Sequence, residues 1–324
     1  MGDFVIHYLK GNEIIDSLPI ENEWRKYAKQ YKTAFGWGTQ GPDVLFHDTP
    51  ITSLSSKKGE LSKYGGEMHS EKTSQLFYDI SQFLIENKDS EYYPALCAFV
   101  TGFICHYAID KQIHAYLLAF EDQLHGIYRT PNHTYRIHAR VEIDIDSAYY
   151  AIKTGGKPIR NFKMDPGMEN DRFDINAIEM FFNDICERTY GHHISPGEVS
   201  RCVKLFYDKE CFMFDPTAIK AGLFFGFKQL IHPGSSYTLD IRRNKVYYDC
   251  LNLKHSGWIY PHEPDKVNNK SVMDLMDDAH EDAVAMINEF MKCVDEGKPY
   301  DHKYMRSFSA NSDMKKRAAG ITVL

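Results

Sequence analysis

His106, Asp110 and His114 fall four residues apart in the run His106-Tyr107-Ala108-Ile109-Asp110-Lys111-Gln112-Ile113-His114. An α-helix turns every 3.6 residues, so these positions stack on one face, about 6 Å apart along the axis. The neighbouring sequence is strongly apolar, with Ala95-Leu96-Cys97-Ala98-Phe99-Val100 before the stripe and Leu117-Leu118 after it. Polar groups on a face bound for the core need partners, and imidazole with carboxylate suits zinc. The outer histidines lie roughly 12 Å apart along the axis, awkward for one tetrahedral ion but comfortable for two with Asp110 between them. The stripe predicts a multinuclear metal site.

Other residues could join it. His138-Ala139-Arg140-Val141-Glu142 is a second i, i+4 pair with both side chains on one helical face. Asp43 follows Gly41-Pro42 on a tight loop, His69 follows Gly65-Gly66 at an expected helix start, and His7 lies among Phe4, Val5, Ile6 and Leu9. Taken singly, each has a plainer reading: a hydrogen-bonded core histidine, a turn aspartate, a solvated His138/Glu142 face. Two successive helices that each offer a chelating pair strengthen the metal reading. Eight such groups exceed the three or four protein ligands of one zinc, so at least two ions are implied. His192 and His193 read as a helix-entry pair, and nothing in the spacing of His47, His125 or His133 demands a metal.

Helical periodicity dominates the elements that must position these groups. Apolar residues three to four apart predict helices over 69–87, 92–120, 135–153, 173–190 and 271–294. Ser195-Pro196-Gly197-Glu198 reads as a capped start for a helix to about Phe214, and Asp215-Pro216 as the start of another through Leu230. From 232 to 270 the periodicity lapses, with a hairpin expected over Tyr237–Tyr248. His232, His255 and His262 fall there, on a segment expected to be a lid. The expected fold is all-α, a single multi-helix domain: residues 1–231 the metal-binding core, 232–270 an irregular excursion, and 271–324 a C-terminal helix and tail on the same domain.

A net charge of −7 argues against the basic face of a nucleic-acid binder, so no stable nucleic-acid partner is expected. The 21 tyrosines and 20 phenylalanines suit either a packed core or an apolar groove. Seven scattered cysteines form no CxxC pair and read as reduced, buried thiols. The start Met-Gly-Asp-Phe-Val lacks signal-peptide organisation, and no apolar run would cross a bilayer. A cytoplasmic protein with at most peripheral membrane contact is expected.

The order His7-Tyr8-Leu9, Gly41-Pro42-Asp43, Met68-His69, Gly102-Phe103-x-x-His106-Tyr107-x-x-Asp110-x-x-x-His114 and His138-x-x-x-Glu142-x-x-Ile145-Asp146 resembles that of the zinc-dependent phospholipase C family. The likeness is strongest to its shorter, leaderless bacterial branch, common in clostridia. It implies the all-α fold of the phospholipase C and zinc nuclease type. It also implies that Asp43, His69, His106 and Asp110 hold one zinc, that His114, His138 and Glu142 hold a second, and that His7 with Asp110 contributes to a third. Secreted members complete that third site with a processed N-terminal tryptophan, and they space the bridging Asp and the following His further apart than Asp110 and His114. The implied activity is hydrolysis of a phosphodiester by zinc-activated water, with a phospholipid as substrate and Asp43 a candidate to position the water. A nuclease or small-molecule phosphoesterase on the same scaffold, and a non-catalytic protein with structural metals, are the alternatives. Asp144, Asp146 and Tyr107 are candidates to orient the histidines.

Overall fold

The computed structural model describes residues 4–49, 59–127, 134–220, 222–223, 248–260, 265–303 and 305–309. The described residues are 70% helical with almost no strand, the all-α class that the apolar periodicity predicts. In order it forms α1 (Phe4–Ser17), α2 (Glu23–Gln30), α3 (Lys32–Gly38), a 3₁₀ helix (Gly41–His47), α4 (Glu60–Ser70), α5 (Thr73–Glu86) and α6 (Tyr93–Ile127). There follow α7 (Thr134–Lys153), α8 (Gly167–Asn170), α9 (Arg172–Ile185), α10 (Glu198–Met213) and α11 (Val272–Asp295). Among the described residues no helix is long and apolar enough to cross a membrane.

The chain forms two compact units. The larger comprises His7–His114, Asp165–Tyr207 and Leu275–Leu324, and the smaller comprises Met1–Ile6, Ala115–Met164 and Asp208–Asp274. In the larger unit Phe77, Phe83, Phe99, Phe103, Phe181, Phe182, Phe290 and Phe308 are all buried. Several of their rings meet edge to face, as between Phe83 and Phe181 (6.1 Å) and between Phe77 and Phe290 (6.4 Å), while Phe77 stacks on Phe308. The quadrupoles of aromatic rings favour these arrangements. Much of the high phenylalanine content is therefore core, at about 1.5–3 kcal/mol for each ring removed from water.

Helix α3 is short and depends on tertiary support. Tyr31 offers its first turn no side-chain cap. Asp174 of α9 does so instead, its Oδ2 accepting from Ala34 N at 2.9 Å, which satisfies one of the exposed N–H groups of a helix start. Trp37 Nε1 donates to Met168 O at 2.7 Å. Against α6 the approach is backbone to backbone: a β-carbon on Gly38 would lie 2.1 Å from Phe99 O, and one on Gly102 2.4 Å from Phe35 O. Only glycine fits at either position.

In the smaller unit Asp146 of α7 accepts from Val5 N (3.3 Å) and Ile6 N (2.7 Å), capping α1. Asp146 thus serves a helix start. Tyr116 donates to Cys250 O at 3.0 Å. A two-residue antiparallel ladder pairs Trp258 with Asn268 and Ile259 with Val267.

Several elements differ from the sequence reading. The expected helix over 69–87 is two helices, broken where Lys72 adopts φ 54°, so His69 closes α4 instead of opening the next helix. Helix α10 starts at Glu198 rather than beside Ser195, because Gly197 has φ 84° and cannot be helical. Helices α1 to α3, whose apolar positions are interrupted by Gly11, Gly36 and Gly38, were not anticipated. The expected hairpin lies, apart from Tyr248, outside the described residues, as does half of the helix expected over 215–230.

Candidate metal centre

Four elements of the larger unit deliver five ligand candidates to one place: His7 from α1, Asp43 from the 3₁₀ helix, His69 from the last turn of α4, and His106 and Asp110 from α6. The 3₁₀ helix reaches His106 because Gly41 has φ 51° and no side chain; a β-carbon there would lie 2.5 Å from His106 Cδ2.

Three of the histidines are held in the same way. His69 Nδ1 lies 2.7 Å from Gly65 O, His106 Nδ1 3.1 Å from Thr39 O, and His114 Nδ1 3.2 Å from the Asp110 carbonyl. A carbonyl only accepts, so each Nδ1 must carry the proton, and in the neutral ring the lone pair is then on Nε2. Such outer partners fix the tautomer and orientation of a metal-ligating histidine. Of the expected orienting side chains, Tyr107 donates to Arg306 O at 2.8 Å. The Thr39 carbonyl is in position because α3 and α6 meet at Gly38 and Gly102.

The Nε2 atoms converge with the carboxylates. His69 Nε2 lies 3.2 Å from Asp43 Oδ1 and 3.6 Å from Asp110 Oδ2, and His106 Nε2 lies 3.2 Å from that same Asp110 oxygen. Zinc bonds of about 2.0–2.1 Å in a tetrahedron place ligand atoms about 3.3 Å apart. These three separations are close to the edge length of such a tetrahedron, and Asp43, His69 and His106 form one cluster of ligand atoms within 4.8 Å while His7, His106 and Asp110 form another. Among the described residues the buried His106 Nε2 has no hydrogen-bond partner of acceptable geometry, a costly state that a metal bond would relieve. The donor set, two imidazoles and two carboxylates, fits zinc.

Asp110 extends the centre with its other oxygen. Its Oδ1 lies 3.2 Å from His7 Nε2 and 3.6 Å from His114 Nδ1, and the His7 and His106 rings are 4.3 Å apart. Burial alone would raise the Asp110 carboxyl, but His114, His106 and His7 together hold it well below the usual range. It is an anion serving two neighbourhoods. Burial would lower His69, but Asp43 and Asp110 outweigh it and raise the ring to about 8. A metal ion must therefore displace a proton there.

A family profile for zinc-dependent phospholipase C matches residues 6–209, more than half of the chain. The chain belongs to that family. The match includes all eight expected ligand positions. No curated protein and no solved structure matches the chain.

The remaining candidates of this zinc-dependent phospholipase C family member are divided between the units. His114 is on the part of α6 in the larger unit, whereas His138 and Glu142 are on α7 in the smaller one. There His138 Nε2 lies 2.8 Å from Glu142 Oε1, and its Nδ1 contacts Glu121. Burial would lower His138, but Glu142 and Glu121 raise it to about 10. Glu121 was missed in the sequence. Its only signal was an acid on an apolar helix seven residues after His114. Of the histidines set aside, His192 pairs with Glu67 at 2.7 Å and His47 stacks on Phe206 at 3.7 Å. His255 contacts Asp274, while His232 and His262 lie outside the described residues.

Proposed function

We propose that this protein is a metal-dependent phosphodiester hydrolase acting on phospholipid, with Asp43, His69, His106 and Asp110 holding one zinc ion. His114, His138 and Glu142 would hold a second, and His7 with Asp110 would contribute to a third; these two assignments rest on the family's motif order. The observation that carries the reading is the pairing of His69 Nε2 and His106 Nε2 with carboxylate oxygens of Asp43 and Asp110 at 3.2–3.6 Å, close to the spacing of ligands around zinc, with His106 Nε2 lacking a hydrogen-bond partner. Bound there, zinc supplies Lewis-acid activation of water and neutralises charge on a phosphodiester.

The chain's own groups have separable tasks. Gly65 and Thr39 hold the imidazoles in register through their carbonyls. Asp110, kept anionic by its histidines, supplies negative charge on both sides. Asp43 and His69 retain 10% and 12% of their side-chain exposure whereas His106 retains none, so substrate would approach on the Asp43 side. There the Asp43 carboxylate is the group best able to position a water molecule and accept its proton.

The test is an activity screen of zinc-loaded protein over phosphatidylcholine vesicles, bis-nitrophenyl phosphate and single-stranded DNA. The reading expects release of a phosphorylated head group from the lipid, lost on adding a chelator. Cleavage of DNA with no action on lipid would favour the nuclease alternative. No activity from a fully metallated protein would favour structural metals.

A further inference from the structure

The segment Met305–Ser309 lies almost a hundred residues beyond the family-matched region, yet it reaches the candidate centre in the larger unit. Ser309 donates to His69 O through both its backbone N (3.1 Å) and its hydroxyl (3.2 Å). His69 closes α4, and the last carbonyls of a helix lack partners within it. Two further bonds anchor the segment: Tyr107 hydroxyl to Arg306 O at 2.8 Å, and Met305 N to Ser74 Oγ at 2.9 Å. Phe308 has no exposed surface. Its ring centroid lies 5.4 Å from that of His69, 5.8 Å from His106 and 4.9 Å from Tyr107.

We infer that Met305–Ser309 is a strap that completes the metal centre, with Phe308 as the positioning residue that seats the His69 and His106 rings. Each histidine is tied by a single Nδ1 bond to a carbonyl, which leaves the ring free to tilt about that bond. Phe46 stacks on the His69 ring at 5.3 Å and His7 lies against His106 at 4.3 Å, and Phe308 packs against both histidines together, limiting that tilt from a shared side. It also takes the place of water beside them, which strengthens every charge interaction within the cluster. The strap holds α4 by its C-terminal carbonyl, so it fixes the His69 backbone as well as the ring. Swinging the His69 ring away from the ion then requires the strap to lift, and the Tyr107 hydroxyl bond resists this.

The inference rests on the zinc reading above, and the test separates the two. Zinc affinity and release rate are measured on the full-length protein by competition with a chromophoric chelator. Phe308→Ala is expected to weaken binding about tenfold or more, the scale of losing a group that orients a ligand. Phe308→Leu, which keeps an apolar wedge, is expected to recover most of that loss. Tyr107→Phe preserves the ring packing and is expected to speed zinc release, and it carries the test if Phe308→Ala does not fold. In cobalt-substituted protein, Phe308→Ala is expected to shift the visible d–d bands, which a packing defect remote from the ligands would leave unchanged. Wild-type affinity, release and spectrum in Phe308→Ala, or an unchanged release rate in Tyr107→Phe, would overturn the strap. An unmodified chain that binds no zinc would overturn the metal reading beneath it.

Discussion

Asp110 Oδ1 lies 3.2 Å from His7 Nε2, and this contact ties the first helix to the middle of the longest one. The other Asp110 oxygen faces His69 and His106, so one carboxylate joins two groups of imidazoles. An amide cannot replace it, since it has one oxygen and no charge. Asp110→Asn is expected to lose at least one equivalent of zinc and to lower kcat/KM on a phosphodiester by on the order of a hundredfold or more. Metal analysis beside steady-state kinetics checks this. Full metal content with full activity would remove Asp110 from the bridging role.

His7 faces the Oδ1 side of Asp110, and it meets the other group through ring contact with His106 at 4.3 Å. His7→Ala is expected to leave the Asp43–His69–His106–Asp110 set loaded, with any loss confined to a single ion. His69→Ala is expected to empty that set. Comparing zinc stoichiometry in the two variants separates the roles, and equal losses would contradict the division.

The α3–α6 contact is steric. In Gly38→Ala the new β-carbon would sit 2.1 Å from Phe99 O, backbone that cannot give way cheaply. Destabilisation of about 1–3 kcal/mol or more is expected in urea unfolding, with weaker zinc binding as the Thr39 carbonyl moves off His106. An alanine variant of wild-type stability would show that the two helices can part without cost.

Asp174 gives the fold a pH signature away from the metal. Burial raises its carboxyl to about 6, against the lowering effect of the Ala34 and Thr33 amides it caps. The folded state then holds a proton that the unfolded chain releases near pH 4. This contribution is complete below about pH 4 and is lost as the pH rises through about 6. Asp174→Asn cannot titrate. In metal-free protein its stability relative to wild type is expected to improve by about 1 kcal/mol or more between pH 4 and pH 7. A pH-independent difference would contradict the assignment.

The i, i+4 pattern carried much of the site, because a helix turns spacing directly into a shared face. The stripe on α6 and the His138/Glu142 pair on α7 were legible for that reason; α7 and α11 fell within one residue of their expected limits, while α6 runs seven residues past its expected end. His7, Asp43 and His69 come from three separate elements. Only the motif order linked them, since no local periodicity encodes a tertiary meeting. The carbonyls of Gly65 and Thr39 carry no residue-type signal, and Phe308 looked like any apolar residue in a polar tail. The misplaced start of α10 has a local cause: the capping pattern was present at Ser195, but Gly197 took a conformation that no propensity scale specifies.

Metal analysis of purified protein, expressed with zinc supplied, tests the central claim most directly. The account predicts at least two equivalents of zinc per chain, with the Asp43–His69–His106–Asp110 ion lost from His69→Ala. Fewer than two equivalents in the unmodified protein, or an undiminished content in His69→Ala, would contradict it.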